Sequence, residues 1–381
     1  MIQNAKIRVL IVDDSAIVRK VLSDVLSSQP DIEVVGTAPD PYVARDKIVS
    51  LQPDVLTLDI EMPRMDGLTF LDRLMVFHPM PVIVISSLTQ SSTRSALEAV
   101  TRGAVDVMAK PGGPYSLGEM REELPRRVRA AAVARVRRSG SAAPLESRVT
   151  PSTGTARTGR PSTQAAGVEG IRASTSTPTK GVAWKRDRFV AIGASTGGTQ
   201  AIEQILRQFP ADFPPVVATQ HIPIGFSAAF AERLDGCCSI CVSEAKDGEI
   251  LRPGHAYIAP GSRHMQVIKA AAGGYAVRLH DGPKIHYQRP AVDELFCSAA
   301  KLAGGPAVGI LLTGMGKDGA DGLLALRKAG CHTIAQDEAT CVVFGMPREA
   351  IELGAAMEVR PLPAIAAAAM AAMRARASHA A

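Results

Sequence analysis

Residues 188–209 read RFVAIGASTGGTQAIEQILRQF, an order of residue types that dictates a strand, a tight turn and a helix. Phe189 to Ile192 form an unbroken apolar run of the kind buried on both faces of a parallel sheet. Ile202, Ile205, Leu206 and Phe209 recur at helical spacing and make one apolar stripe. Between them Gly193 to Gly197, GASTG, matches Gly-x-Ser-x-Gly, in which small residues let a serine project from a sharp strand-to-helix turn. Ser195 is therefore a candidate nucleophile. A dinucleotide loop is the rival reading, but its second glycine would have to stand where Ser195 stands, to let pyrophosphate approach the backbone. The next strand also ends in Gln220 and His221 where such a fold needs an acid for the ribose. A plain structural turn stays open as well, because a five-residue pattern often matches by chance.

A serine hydroxyl is a poor nucleophile at neutral pH and needs a base, which needs an orienting carboxylate in turn. His221 closes the run PVVATQH, and Asp318 follows AVGILLTGMG. All three residues fall at the carboxyl ends of expected parallel strands, the edge where such sheets place their sites. Taken singly, His221 reads equally as a satisfied core or loop histidine, and Asp318 in GKDG as a turn former. His255, His264, His280, His286 and His332 compete for the role of base, and strand position ranks them lower.

The N-terminal segment repeats the alternation of strand and helix. IRVLIVDD, IEVVGTA, DVLTLDI, PVIVISS and VDVMAKP are short apolar runs separated by helix-period segments, which predicts a second parallel sheet with helices on both faces. After Ser15, the stripe Ile17, Val18, Val21, Leu22, Val25 and Leu26 marks a helix. The strand ends carry Asp13, Asp14, Asp59, Ser86 and Lys110. Three converging carboxylates would repel one another unless they bound a hard cation, and Mg²⁺ prefers carboxylate oxygen. With the metal and Lys110 offsetting charge, one carboxylate can attack a phosphoryl group. Read singly, each acid is as well explained by loop solvation or helix capping.

The chain has 381 residues and a mass of 40.1 kDa, which at roughly 100–200 residues per domain implies two domains. Its net charge of +6 is concentrated in residues 126–186, where 13 Lys and Arg face only Glu146 and Glu169; the remainder is net acidic. That stretch is rich in Ser, Thr, Pro, Gly and Ala and lacks apolar periodicity, so a flexible basic linker is expected over 126–185. A helix prolonged over Glu119 to Arg138 is expected at its start. Folded domains are expected over 1–125 and 186–381, neither with the footprint of a nucleic-acid-binding module. No apolar run reaches the roughly 18 residues of a membrane span, and the first residues lack a signal-peptide pattern, so a cytoplasmic location is expected. The Ala-rich run Leu362 to Met373 reads as a packed terminal helix. Cys237, Cys238 and Cys241 have no second Cys or His pair at zinc-finger spacing, so buried, inert thiols are the expectation.

Two resemblances gather these residues. Asp13-Asp14, Asp59 followed by MPRMDG, Ser86 and Lys110-Pro111 together resemble the receiver domain of two-component response regulators. The resemblance implies that Asp59 accepts phosphate, that Asp13, Asp14 and Asp59 bind Mg²⁺, that Ser86 contacts the phosphoryl group and that Lys110 pairs with it. Val107 departs from the pattern, since many receivers carry an aromatic switch residue there. In the second domain GASTGG, QHIP, YIAPGSRHM, HDGP, RPAVDELF, LLTGMGKDGADG and CVVFGMPREAI resemble the catalytic domain of CheB chemotaxis methylesterases, over about residues 186–360.

That family implies a flavodoxin-like receiver joined by a linker to a Rossmann-like methylesterase domain, both doubly wound parallel α/β sheets. It implies a protein-glutamate methylesterase and protein-glutamine glutaminase with Ser195, His221 and Asp318 as triad. The N–H after the nucleophile, that of Thr196, and the backbone of Met315 are the implied oxyanion donors, and no cofactor is implied in the catalytic domain. The implied substrate is the methyl-accepting chemoreceptor, beside the membrane; the implied phosphodonor is the chemotaxis histidine kinase. The family also implies that the unphosphorylated receiver covers the active site. The unusually long linker tethers loosely, so weak autoinhibition is the expectation. Open alternatives are a receiver-controlled binding or scaffold protein, and the same hydrolase acting on a signalling array outside chemotaxis.

Overall fold

The computed structural model describes residues 5–112, 117–136, 184, 187–302 and 304–374. Most of the expected linker, residues 137–183, lies outside the described residues. The first domain runs β1 (Ile7–Val12), α1 (Ala16–Ser27), β2 (Ile32–Ala38), α2 (Pro41–Leu51), β3 (Val55–Asp59), α3 (Gly67–Phe77), β4 (Val82–Ser86), α4 (Gln90–Thr101), β5 (Asp106–Ala109) and α5 (Leu117–Ala132). Its five strands are all parallel, in the order β2-β1-β3-β4-β5. The order reverses direction between β1 and β3, and a doubly wound sheet opens its ligand crevice at that point. Asp13 follows β1 and Asp59 ends β3, so both carboxylates stand at the crevice. Along α1, Leu22, Val25 and Leu26 are buried as the stripe requires, but Ile17 in the first turn is 76% exposed.

The second domain runs β6 (Phe189–Ala194), α6 (Gly198–Leu206), β7 (Val216–Gln220), α7 (Phe226–Asp235), β8 (Cys241–Glu244), β9 (His255–Ile258), β10 (His264–Lys269) and β11 (Tyr275–His280). It continues through α8 (Val292–Ala300), β12 (Ala307–Leu311), α9 (Ala320–Lys328), β13 (His332–Gln336), α10 (Met346–Glu352), β14 (Glu358–Arg360) and α11 (Leu362–Met373). Seven strands pair in parallel in the order β14-β13-β12-β6-β7-β9-β8, while β10 and β11 form a separate antiparallel hairpin. Strands after β6 first build outward through β7, then return to the other side at β12. The switch point is therefore the cleft between β6 and β12, below Ser195 on one side and the Gly314–Asp318 loop on the other.

α11 covers the sheet with Ile365, Ala366, Ala369 and Met373, as a packed terminal helix. Among the described residues no helix is long and apolar enough to cross a membrane. The cysteine expectation needs correcting: Cys241 is exposed and Cys237 and Cys238 are only partly buried. Cys241 opens the edge strand β8, where one flank of the sheet has no neighbouring strand among the described residues. Partial burial and the adjacent Cys237 push the Cys238 thiol up to about 12, which keeps it protonated.

The two domains pack against each other through α4, which lies on α7 and α6. Gln200 donates to the carbonyl of Val100, Arg94 pairs with Glu232 at 2.7 Å, and Arg135 N–H donates to Val342 O at 3.0 Å. From the α5 side, the Arg126 guanidinium lies 3.4 Å from the centre of the Tyr287 ring.

Candidate active site

The nucleophile turn is held by its backbone. Ser195 N–H donates to Thr313 O at 3.0 Å, and Gly198 N–H donates to Ser195 O at 2.7 Å. Gly197 takes φ +77°, a conformation that glycine adopts without strain, and a Cβ there would strike Val342. α6 begins at the next residue, so Ser195 sits at the positive end of a helix dipole.

His221 follows β7 and is buried; its Nε2 lies 2.7 Å from Asp318 Oδ2. Asp318 also accepts from the N–H of Val292 at 2.8 Å and of Asp293 at 2.9 Å, the first turn of α8. Burial alone would raise this carboxyl. The hydrogen bond and charge of His221 and the two backbone donors outweigh burial and hold Asp318 below the usual carboxylate range. An ionised Asp318 accepts, so His221 Nε2 carries a proton, and in the neutral form of the ring the lone pair falls on Nδ1. Nδ1 is buried and has no hydrogen-bond partner among the described residues. The carboxylate therefore contacts Nε2, whereas the usual serine-hydrolase triad places it on Nδ1.

Ser195, His221, Met315 and Asp318 line one cavity of about 300 Å³. Thr196 lines it too. Among the described residues neither the Thr196 nor the Met315 N–H is paired with a backbone carbonyl, which leaves both available as donors. The opposite wall belongs to the first domain: Asp106, Glu123, Arg126, Arg127 and Ala130. Thr196 Oγ1 donates to Asp106 Oδ2 at 3.2 Å, and Asp106 Oδ1 pairs with Arg127 at 2.7 Å. The receiver-like domain thus stands across the mouth of the cavity.

A second imidazole lies beside the first. His286 Nε2 is 3.1 Å from Asp293 Oδ2, and burial together with the charge of Asp318 pushes Asp293 up to about 6. Gly322 N–H donates to the other oxygen at 2.7 Å. His286 thus belongs to the cavity lining although strand position ranked it low. His255, His264, His280 and His332 make other contacts, to Ser243, Pro283, Glu294 and Glu358 respectively.

In the first domain Asp13, Asp14 and Asp59 place one oxygen each within 4.8 Å of one another. Burial pushes Asp59 up to about 6 against the opposing hydrogen bond from Lys110, and burial raises Asp13 as well. Lys110 Nζ lies 2.7 Å from Asp59 and 3.1 Å from Asp13, and those carboxylates hold the ammonium above its usual range despite partial burial. Asp13 Oδ2 is buried without an aligned hydrogen-bond donor. Two buried, mutually repelling carboxylates, Asp13 and Asp59, with the exposed Asp14 and one lysine beside them, are a donor set that fits a hard divalent cation. Ser86 is buried and its Oγ donates to Ser92 O at 3.1 Å, on the first turn of α4. Ser92 Oγ donates to Glu61, two residues after Asp59.

Two doubly wound domains, one with an acidic crevice and the other with a serine at its switch point, define the class of receiver-linked α/β proteins with a hydrolase-like site. The family model for the response regulator receiver domain matches residues 9–122, and that for CheB methylesterase matches residues 190–369. The chain is 49% identical over 362 residues to protein-glutamate methylesterase/protein-glutamine glutaminase 2 of Syntrophus aciditrophicus, covering 95% of this chain and 98% of that one. It is 47% identical over 357 residues to protein-glutamate methylesterase/protein-glutamine glutaminase of Salmonella typhi, covering 93% of each. The solved CheB methylesterase catalytic domain of Thermotoga maritima is 39% identical, with a TM-score of 0.48, covering 49% of this chain and 99% of that one. The chain belongs to the CheB methylesterase family.

Proposed function

We propose that the protein hydrolyses γ-methyl esters of glutamate, and the side-chain amide of glutamine, on methyl-accepting chemoreceptors, as a cytoplasmic enzyme switched by a histidine kinase. The observation that carries the reading is the buried His221–Asp318 pair opening on the cavity that Ser195 lines. In this reading residues 186–381 are the catalytic unit and residues 1–125, with the rest of α5 to Ala132, the regulatory one.

The chemistry follows from the hydrogen bonds. Asp318 fixes the Nε2–H tautomer of His221, so Nδ1 takes the proton of Ser195 as its Oγ attacks the side-chain carbonyl carbon. The oxyanion that forms draws on the N–H groups of Thr196 and Met315 and on the helix N-terminus behind them. His221 returns the proton to the departing methanol, or to ammonia from glutamine, and leaves an acyl-serine. Water then attacks with His221 again as base, which frees Ser195 and a glutamate carboxylate.

The control site is Asp59. Asp13, Asp14 and Asp59 would hold Mg²⁺, which supplies charge neutralisation for phosphoryl transfer. Lys110 pairs with the phosphoryl group, and Ser86 turns its hydroxyl toward it and away from Ser92 O. The hydrogen bond that ties the tip of β4 to α4 is then lost, and α4 is the helix that packs on the second domain. The relay runs through α4 in a chain whose β5 carries Val107 in place of an aromatic residue.

The test is methanol release from esterified receptor cytoplasmic segments, by wild type and Ser195→Ala, with and without a phosphodonor. Release that vanishes with Ser195→Ala and rises on phosphorylation is expected. Phosphorylation without release would sink the esterase reading.

A further inference from the structure

We propose that Gln220 is the positioning residue that holds the nucleophile and the base of this site in one register. The inference rests on Ser195 and His221 being that pair. Gln220 ends β7, immediately before His221, and is 2% exposed. Its side-chain Nε2 donates to Ser195 O at 2.8 Å and to His221 O at 3.2 Å. One amide group therefore clamps the main chain of both residues. Ser195 O also receives Gly198 N–H, so both its lone pairs are engaged and the peptide plane after the nucleophile is fixed. That plane carries the Thr196 N–H, the donor expected at the oxyanion. A single side chain thus sets the elbow, the base and one oxyanion donor.

Two further observations support the assignment. Gln220 Oε1 is buried and has no partner among the described residues. An apolar side chain of the same shape would avoid that cost, so the amide is retained for its two donor bonds. The amide orientation is fixed by the same contacts, because the reverse would set an oxygen against two carbonyl oxygens. The chain also makes room for the amide: a Cβ on Gly198 would lie 2.1 Å from Gln220 Oε1 and 2.5 Å from Ala194 Cβ. The second glycine of STGG thus admits the glutamine from the neighbouring strand.

The experiment uses the full-length, phosphodonor-treated protein with Gln220→Met and Gln220→Glu. It reads kcat and KM for methanol release, the rate of Ser195 phosphonylation by a fluorophosphonate, and Tm. For Gln220→Met a kcat loss of about 30- to 300-fold, KM within threefold and a parallel fall in phosphonylation are expected. The Gln220→Glu enzyme as a carboxylate repels both carbonyl oxygens but as an acid recovers one O–H donor. Its activity relative to wild type is therefore expected to rise as pH falls from about 8 to about 6, with no such rise for Gln220→Met. If Gln220→Met fails to fold, the pH ratio of the isosteric Gln220→Glu enzyme decides. A folded Gln220→Met enzyme with kcat within threefold of wild type overturns the proposal, as does a flat pH ratio for Gln220→Glu. Failure of the underlying site reading is distinct: wild type itself would resist phosphonylation, and Ser195→Ala would keep releasing methanol.

Discussion

Asp318 shows how one side chain can set both a tautomer and a helix. Its oxygens accept from His221, Val292 and Asp293, three donors converging on one buried carboxylate. An asparagine can offer only one acceptor oxygen, and its amino group would face N–H donors or turn toward Nε2 and reverse the tautomer. Nδ1 would then carry the proton and could not accept one from Ser195. Asp318→Asn is expected to lower kcat by about 10³- to 10⁴-fold with Ser195 and His221 still in place. A loss below tenfold would remove Asp318 from the triad. The same substitution has a pH signature. A carboxyl held below 3.8 in the fold contributes stability above that value and loses it as pH falls through the lower, folded value. The stability gap between wild type and Asp318→Asn should accordingly be full at neutral pH and narrow only below about pH 4, as followed by urea unfolding.

At the level of elements, Ser86 is where β4 meets α4. Its hydroxyl ties to Ser92 O, and Ser92 in turn donates to Glu61, so the edge of the proposed phosphorylation site and the first turn of α4 share one hydrogen-bond knot. Ser86→Ala removes the hydroxyl that the phosphoryl group would draw away. The protein is expected to accept phosphate at Asp59 while the ratio of phosphorylated to unphosphorylated esterase activity falls toward one. A ratio equal to wild type would place the relay elsewhere. The strands on which this depends were readable from residue types: β3, β4, β5 and β7 are buried throughout, as their apolar runs require, while the weaker run IEVVGTA became the partly buried edge strand β2. The structure pairs His221 with Asp318 and brings Ser195 to the same cavity lining, a proximity that was readable because strand ends in such sheets share an edge. Gln220 and Asp106 were not, because each acts through a hydrogen bond to a segment far away in the chain, at 25 and 90 residues' separation. The only signal was a polar residue at the end or start of an apolar strand. Ile17 misled for the opposite reason: it keeps helical spacing but is 76% exposed, while Val18 beside it in the same turn is the residue that packs against the core.

Across the whole molecule, the proposed regulation requires a contact between domains strong enough to cover the cavity and weak enough to be opened by one phosphate. Beside the buried Thr196–Asp106 bond and the half-buried Gln200–Val100 one, its ion pairs among the described residues are mostly exposed: Arg94 with Glu232, Arg135 with Glu338, Lys284 with Glu122 at 3.8 Å. Such exposed pairs contribute about 0.2–1 kcal/mol each, which suits an interface set near balance. Arg94 pairs across the α4–α7 contact through both oxygens of Glu232, at 2.7 and 3.0 Å, so its sign can be reversed without touching either site. Arg94→Glu sets two acids against each other and, by about 1 kcal/mol, is expected to raise basal methanol release about two- to fivefold. Glu232→Arg should do the same, and the two together should return the basal rate toward wild type because the pair is restored in reverse. The fully phosphorylated rates should agree among all four proteins, since the open form no longer makes the contact. Added salt should shrink the differences by screening. Single reversals that leave the basal rate unchanged, or a double reversal more active than either, would mean that the α4–α7 contact does not hold the cavity closed.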